Sequence, residues 1–165
     1  MALEWLSELF MWLQSYGYIG AFLMSVIGSA TIILPAPYFI VIFGMAGLPG
    51  MNPILLAGAS AVGSAIGELT GFWLGKYGGK AFIKKNAKWL KAAEKWFDKN
   101  GFLTLVFLAA APLPTDIGGI IAGTSNYSRT KFFAAMLIGK MVKFSVVVYA
   151  GYYSLGWVLQ YFGIA

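Results

Sequence analysis

Four ionisable side chains of this sequence lie within long apolar segments, where charge is costly. They are Glu68, Asp116, Lys140 and Lys143. On insertion scales, a charge at the centre of a membrane helix costs about 2.5–3.5 kcal/mol, so residues of this kind are candidates for function. Two of them are acidic and two are basic, which allows mutual pairing. Their chemistry predicts a polar site whose lysines attract an anionic group, while its carboxylates carry a proton or balance charge.

The neighbours of these residues leave simpler interpretations open. Glu68 shares a helical face with Ser60 and Ser64, at spacings of four and eight residues. Asp116 precedes a helix-forming segment, where a carboxylate can cap free N–H groups. The two lysines lie three residues apart, and either could extend its ammonium group toward a membrane surface.

The composition predicts a membrane protein and excludes much of enzyme chemistry. Of 165 residues, 59% are hydrophobic and 11% are charged, far below the roughly 25% charged residues of a soluble domain. Mean hydropathy is +0.75. Cysteine and histidine are both absent, which excludes disulfides, thiolate nucleophiles, Cys- or His-based metal sites and the common catalytic triads. We expect no cofactor, no metal and no enzymatic activity.

The charges that remain predict the orientation of the chain. No Asp, Glu, Lys or Arg lies between Glu8 and Glu68, a length that could cross a bilayer more than twice. Eight lysines then fall within 24 residues: Lys76, Lys80, Lys84, Lys85, Lys88, Lys91, Lys95 and Lys99. Because basic residues near membrane segments mark the cytoplasmic side, we expect the loop 76–100 inside the cell. Its segment 83–100, which contains tryptophans, is predicted to lie on the membrane surface and contact anionic lipid rather than nucleic acid; a solvated linker helix is the alternative.

The strongest internal signal is a repeat. Residues 34–47 read LPAPYFIVIFGMAG, and residues 111–123 read APLPTDIGGIIAG. The prolines correspond at an offset of 77, and glycines further along correspond at an offset of 76: Pro35 and Pro37 with Pro112 and Pro114; Gly47, Gly63 and Gly75 with Gly123, Gly139 and Gly151. Chance matches in a glycine-rich chain are the alternative.

The paired prolines predict helical hairpins that enter and leave the membrane on one side. Two prolines at i and i+2 break a helix, and the flanking apolar runs are too short to cross twice. Hairpins from opposite sides, each followed by a spanning helix, are the inverted-repeat plan of transporters. We therefore predict an all-α integral membrane protein with one domain, 1–165, divided into an N-terminal interfacial helix (1–16), re-entrant hairpin 1 (17–50), a transmembrane helix (53–75), the basic loop with its interfacial helix (76–100), re-entrant hairpin 2 (101–125), a second transmembrane helix (130–152) and a C-terminal segment (153–165).

Glycines recur at intervals of four through the first predicted spanning helix. They are Gly63, Gly67, Gly71, Gly75 and Gly79. Such a stripe lets another helix approach closely. The stripe lacks the Gly-x-x-x-x-Gly-Lys-Ser/Thr pattern of a nucleotide-binding loop, so we expect a packing surface.

Two segments resemble the DedA superfamily, also called VTT-domain or SNARE-associated Golgi proteins. Residues 63–82, GSAIGELTGFWLGKYGGKAF, resemble its glycine-rich signature with an acidic residue, and residues 111–151 resemble its YqaA-like branch. The resemblance extends from about Gly17 to Gly156. It implies two opposed re-entrant hairpins and a role in lipid translocation: recycling of polyprenyl-phosphate carriers in bacteria or phospholipid scrambling in eukaryotes, with proposed dependence on the proton-motive force. Glu68, Asp116 and Lys140 match positions of its motifs.

The chain also departs from the family pattern. Typical members carry arginines where this chain has Ala109 and Thr115, and acidic residues where it has Ser29 and Tyr38. Lys140 and Lys143 are therefore hypothesised to replace the missing arginines.

The first functional hypothesis is a transporter or scramblase of an anionic lipid in the cell membrane; proton coupling and the formation of homo-oligomers are part of this hypothesis. Its candidate substrate-binding residues are Glu68, Asp116, Lys140, Lys143 and Ser64. An ion-coupled transporter of a small solute and a non-transporting membrane scaffold are the alternatives.

Overall fold

A computed structural model describes residues 8, 12, 15–31, 38–78, 87–111, 115–125 and 127–161. Within these residues the chain is helical and contains no strand. The helices are α1 (Gly17–Ala30), α2 (Tyr38–Ala46), α3 (Pro53–Gly67), α4 (Leu69–Trp73), a π-helical turn (Leu74–Gly78), α5 (Ala87–Ala110), α6 (Asp116–Thr124) and α7 (Arg129–Tyr161). The predicted all-α class is confirmed.

Within the described residues, two stretches are long and apolar enough to cross a membrane. They are Pro53–Gly78 and Arg129–Ser154, close to the predicted spans 53–75 and 130–152. The apolar helices Gly17–Ala30 and Lys99–Ala110 are shorter, below the roughly 20 residues that one crossing takes. The re-entrant hairpins and the inverted repeat stay predictions, and all four hairpin prolines lie outside the described residues.

The first spanning stretch begins at a capped helix end. The Asn52 side chain accepts hydrogen bonds from the backbone N–H groups of Ile54 and Leu55, at 2.9 and 3.2 Å. Pro53 occupies the first helical turn, where its missing N–H group costs nothing. The Asn52 N–H in turn donates to the Tyr18 hydroxyl at 2.8 Å, which ties the start of α3 to α1.

This stretch is interrupted at Glu68, where the sequence predicts one continuous helix. Glu68 lies in a turn between α3 and α4, although its N–H still donates to the Ser64 carbonyl at 3.0 Å. The Thr70 hydroxyl donates to the carbonyls of Gly67 and Ala30. Because Ala30 ends α1, its carbonyl lacks a partner within its own helix, and Thr70 supplies one.

Helix α5 joins two segments that the sequence analysis treats separately. It runs from Ala87 to Ala110, so the end of the basic loop and the first arm of predicted hairpin 2 form one helix. Lys95 and Lys99 are exposed. The tryptophan side chains of this segment, and the start of the segment at residues 83–86, lie outside what the structure describes.

Helices α1 and α3 pack in parallel through glycine. A Cβ atom at Gly63 would collide with the Phe22 carbonyl oxygen, and one at Gly67 would lie 2.5 Å from that of Val26. From the first contact to the second, the residue number increases by four on each helix, so the two helices run in the same direction. Small residues let membrane helices approach closely, and at these two positions a Cβ atom does not fit, so glycine is required.

Helix α7 runs antiparallel to α3 and α4 and divides its contacts between two apolar clusters, which we name outer and inner after the side of the membrane on which the sequence predicts each to lie. The outer cluster contains Ala21, Met24, Tyr38, Ile42, Met45, Ala46, Leu56, Ala57, Ala61, Phe144 and Val148. The inner cluster contains Ala65, Phe72, Leu105, Ala109, Ala122, Phe132, Ala135 and Met136. Along the chain, α3 and α4 lead from the outer cluster to the inner one. Helix α7 leads the opposite way, from Phe132 in the inner cluster to Val148 in the outer one.

Close glycine contacts recur in the two halves. A Cβ atom at Gly75 would strike the Ile120 carbonyl oxygen of α6, and one at Gly151 would strike the Phe43 carbonyl oxygen of α2. The glycines differ by 76 residues and their contacts by 77, which are the offsets of the sequence repeat. Each spanning stretch therefore packs against a short helix of the other half.

Candidate substrate site

The centre of the described structure holds a buried ion pair. Lys140 Nζ lies 2.6 Å from Glu68 Oε1, and each side chain is only 2% exposed. The turn between α3 and α4 positions the carboxylate, and the middle of α7 positions the ammonium group. Charges so far from solvent require a partner, and here the two halves of the chain supply one each.

Thr115 completes this cluster from a third element. Its hydroxyl donates a hydrogen bond to Glu68 Oε1 and accepts one from Lys140 Nζ, at 3.3 Å. Thr115 immediately precedes α6, so the start of that helix is attached to the ion pair. Glu68 Oε1 thus accepts two hydrogen bonds, one from Thr115 and one from Lys140.

The second carboxylate oxygen, Glu68 Oε2, is buried and has no hydrogen-bond partner among the described residues. A carboxylate can accept several hydrogen bonds, and an unmet buried acceptor is destabilising. The carboxylate is therefore able to accept a further donor without losing the lysine.

The ion pair lies where the two apolar clusters meet. On α7, Lys140 falls between Met136 of the inner cluster and Phe144 of the outer cluster. On the first spanning stretch, Ser64 falls between Ala61 of the outer cluster and Ala65 of the inner one. Polar groups thus form a layer between two apolar regions, and we call this layer the polar belt.

Lys143 adds a second positive charge beside this layer. Its ammonium group lies 5.1 Å from the centroid of the Phe39 ring, a cation–π geometry. Phe39 stacks on Phe144 with ring centroids 5.4 Å apart. No described carboxylate forms an ion pair with Lys143. Together, the carboxylate of Glu68 and the ammonium groups of Lys140 and Lys143 carry one net positive charge.

A second, neutral group of hydroxyls belongs to the polar belt. The Ser29 hydroxyl lies 2.6 Å from that of Ser64 and 3.1 Å from that of Tyr38. All three side chains are buried. This group joins the end of α1, the start of α2 and the last turn of α3.

The neutral and charged groups occupy positions that correspond in the predicted repeat. Tyr38 and Thr115 differ by 77 residues, and Ser64 and Lys140 differ by 76. Each half therefore places a hydroxyl directly after its proline segment, close to a buried polar residue of a spanning helix.

The structure brings together some of the predicted site residues. Glu68 and Lys140 pair directly, Ser64 lies one turn before Glu68, and Lys143 lies one turn after Lys140. Asp116 begins α6, but its side chain lies outside the described part of the chain, so its role stays a prediction.

Sequence reasoning missed Thr115, Ser29 and Tyr38 as site residues. Serine, threonine and tyrosine are common and uncharged, so burying them costs much less than burying a charge. The sequence therefore does not single them out as site residues. One signal was available, because all three occupy positions where the chain departs from the DedA pattern. Among the described residues no group of three or more acidic, His or Cys side chains could hold a metal ion.

Comparison with known proteins assigns the family. The family model described as the VTT domain matches residues 34–153, which include Glu68, Thr115, Lys140 and Lys143. The chain belongs to the VTT-domain family. This confirms the resemblance noted in the sequence.

Several bacterial proteins are similar to this VTT-domain chain. The undecaprenyl phosphate transporter A of Bacillus subtilis is 28% identical over 156 residues, covering 88% of this chain and 76% of that protein. The membrane protein YbfM of the same organism is 27% identical, covering 77% of this chain and 83% of its own length. Protein DedA of Escherichia coli is 23% identical, covering 64% of this chain and 59% of its own length. No solved structure matches the chain significantly.

Proposed function

We propose that this VTT-domain protein moves an anionic lipid headgroup, a polyprenyl phosphate or a phospholipid, across the cell membrane through the polar belt. The observation that carries the proposal is the buried Glu68–Lys140 ion pair with Lys143 beside it. A relative named as an undecaprenyl phosphate transporter supports the lipid class.

Charge explains why an anion suits this site. Lys140 is neutralised by Glu68, whereas Lys143 faces an aromatic ring. A phosphate entering beside Lys143 would replace a weak cation–π contact with a charge-assisted hydrogen bond, which is stronger. The lysines thereby take the place of the arginines that typical family members carry.

The belt also supplies a means of responding to the headgroup. An anion that attracts Lys140 weakens the ion pair, and Glu68 can then accept a proton. Proton coupling through Glu68 is part of the proposal for this reason. We further propose that α1–α2 form the first re-entrant hairpin and that α6 with the part of α5 from Gly101 onward forms the second, supported by the matching glycine contacts of the two halves.

The hydrocarbon part of the lipid has a suitable surface outside the belt. An open apolar groove between α1 and α3 is lined by Tyr18, Ile19, Phe22, Gly58, Ala59 and Val62. Large apolar side chains are also exposed on other helices, among them Ile40, Leu103, Phe107 and Val146. Lipid chains can therefore remain in the bilayer while the headgroup passes the belt.

Lipid flux in proteoliposomes tests the proposal. Purified protein is reconstituted with a fluorescent polyprenyl-phosphate or phospholipid analogue, with and without a pH gradient. We expect Glu68→Ala and Lys140→Ala to abolish most of the flux. Lys143→Ala should lower it more than Lys143→Arg does, because arginine keeps the charge. The matched control is Lys99→Ala, which removes an exposed lysine outside the belt.

Wild-type flux in both Glu68→Ala and Lys140→Ala would contradict the proposal. Gradient-driven uptake of a small solute without lipid movement would support the solute-transporter alternative instead. A scaffold role predicts no flux in any variant and restored thermal stability when Glu68 and Lys140 are exchanged.

A further inference from the structure

Helices α1 and α3 enclose a line of four serines, of which Ser25 and Ser60 take no part in the proposed lipid site. Ser60 and Ser64 precede Glu68 at intervals of four on one face, and Ser25 and Ser29 lie four apart on α1. All four serines are buried. Because the two helices run parallel and Ser29 bonds Ser64, one turn back on each helix brings Ser25 and Ser60 to the same level.

At that level both hydroxyls are unsatisfied. Ser25 Oγ and Ser60 Oγ are fully buried and have no hydrogen-bond partner among the described residues. A buried hydroxyl without a partner is destabilising, and two at one level between packed helices require a common explanation. The third unsatisfied buried oxygen of the described chain, Glu68 Oε2, lies two turns further along the same face.

We propose that water occupies this line, bound between Ser25 and Ser60 and continuing past Ser29 and Ser64 to the free oxygen of Glu68. Water both donates and accepts, so it satisfies two hydroxyls and a carboxylate oxygen together. A bound metal cation is disfavoured, because Lys140 and Lys143 already outnumber the one described carboxylate of the belt. Toward the Asn52 end the line is closed by Ala21, Leu56 and Ala57 of the outer cluster, so the water is internal.

Water-edited solid-state NMR of the full chain in bilayers tests the hydration directly, without requiring any transport. Magnetisation passed from water should reach the Cβ signals of Ser25 and Ser60 severalfold faster than those of Ala21 and Ala61. These alanines are matched controls, since they are equally buried on the same two helices. Build-up at both serines as slow as at the alanines overturns the proposal.

The connection to Glu68 has its own measurement. In the Ser25→Ala/Ser60→Ala double variant, water transfer to the Glu68 carboxyl carbon should fall severalfold; unchanged transfer would overturn the connection.

Thermal melting gives an independent test of the same site. If the hydroxyls share water, each single alanine variant lowers the melting temperature and the double variant lowers it by less than the sum. If the site is dry, each variant raises it, and the proposal is wrong. Lipid flux by the wild type is unaffected by either result, so failure here is distinct from failure of the proposed function.

Discussion

The Glu68–Lys140 pair is held in a setting where either charge alone would be very unfavourable. Removing one partner of a buried ion pair usually costs about 3–5 kcal/mol, whereas replacing both by apolar side chains is often neutral. Thr115 sharpens this contrast, because it bonds both partners. The pair thus adds little net stability, but the loss of either member alone is strongly destabilising.

We therefore expect Lys140→Met to lower the free energy of unfolding by about 3–5 kcal/mol. The Glu68→Leu/Lys140→Met double variant should regain most of that loss. Thermal unfolding followed by circular dichroism in detergent measures both. Lys143→Met is the control, since it removes a partly buried lysine that has no described carboxylate partner. A Lys140→Met variant that melts like the wild type would contradict the buried pairing.

How far the site follows from sequence depends on the cost of burying each residue. Glu68 and Lys140 are predictable because charge in an apolar segment is expensive, and expensive residues need a partner. Thr115, Ser29 and Tyr38 are not, because a neutral hydroxyl satisfies itself in many environments. Their positions follow from which helices meet, and the sequence does not specify that contact.

At the scale of the elements, glycine decides which helices touch. Gly63 and Gly67 bring α3 against the backbone of α1, and Gly75 brings the π-helical turn against α6. Gly58 lies on the same helix α3, yet a Cβ atom there would meet nothing within 4 Å. The same residue type thus has different roles on adjacent turns.

This difference predicts opposite outcomes for one substitution. Gly63→Ala should destabilise the protein by about 1–3 kcal/mol, because the added Cβ forces two backbones apart. Gly58→Ala should stabilise it by up to about 1 kcal/mol through higher helix propensity. Equilibrium unfolding of the two variants in the same detergent gives the comparison. Equal effects would show that the close approach of α1 and α3 is absent in solution.

The four-residue spacing of the glycines predicts a packing surface. Where helices continue or break, in contrast, cannot be predicted from the local sequence. Gly101 separates a basic segment from an apolar one and reads as a boundary, yet it is buried within the continuous helix α5. The turn at Glu68 follows Gly67, but Gly63 and Gly71 lie inside helices, so glycine alone does not predict where the helix is interrupted. In both places contacts with distant segments override local preference, as is usual where propensity differences are small.

At the scale of the whole molecule, the described chain is two halves that exchange contacts. Each spanning stretch packs on a short helix of the other half, and the polar belt takes residues from both. The lysines of residues 76–100 separate the halves in sequence and predict which side of the membrane they face. We therefore expect the orientation to depend on the whole chain, through charge outside the membrane rather than packing within it.

Cysteine labelling checks this orientation, because the natural chain contains no cysteine. Leu48 and Lys99 are both exposed and are predicted to lie on opposite sides of the membrane. A membrane-impermeant maleimide added to intact cells should label Leu48→Cys and leave Lys99→Cys unlabelled. Inside-out vesicles should give the reverse. Labelling of Lys99→Cys from outside would show that the basic loop is not cytoplasmic.

The separation of 72 residues between Glu68 and Lys140 has a consequence for biosynthesis. At about 5–20 residues per second, the ribosome makes Glu68 roughly 4–14 seconds before its lysine. During that interval the first half enters the membrane with a carboxylate whose permanent partner does not yet exist. Until then this carboxylate needs other partners, such as water, the neighbouring serine hydroxyls or polar groups of the insertion machinery. Insertion of the second half then completes the charge balance of the first, so the two halves depend on each other before the protein carries out any function.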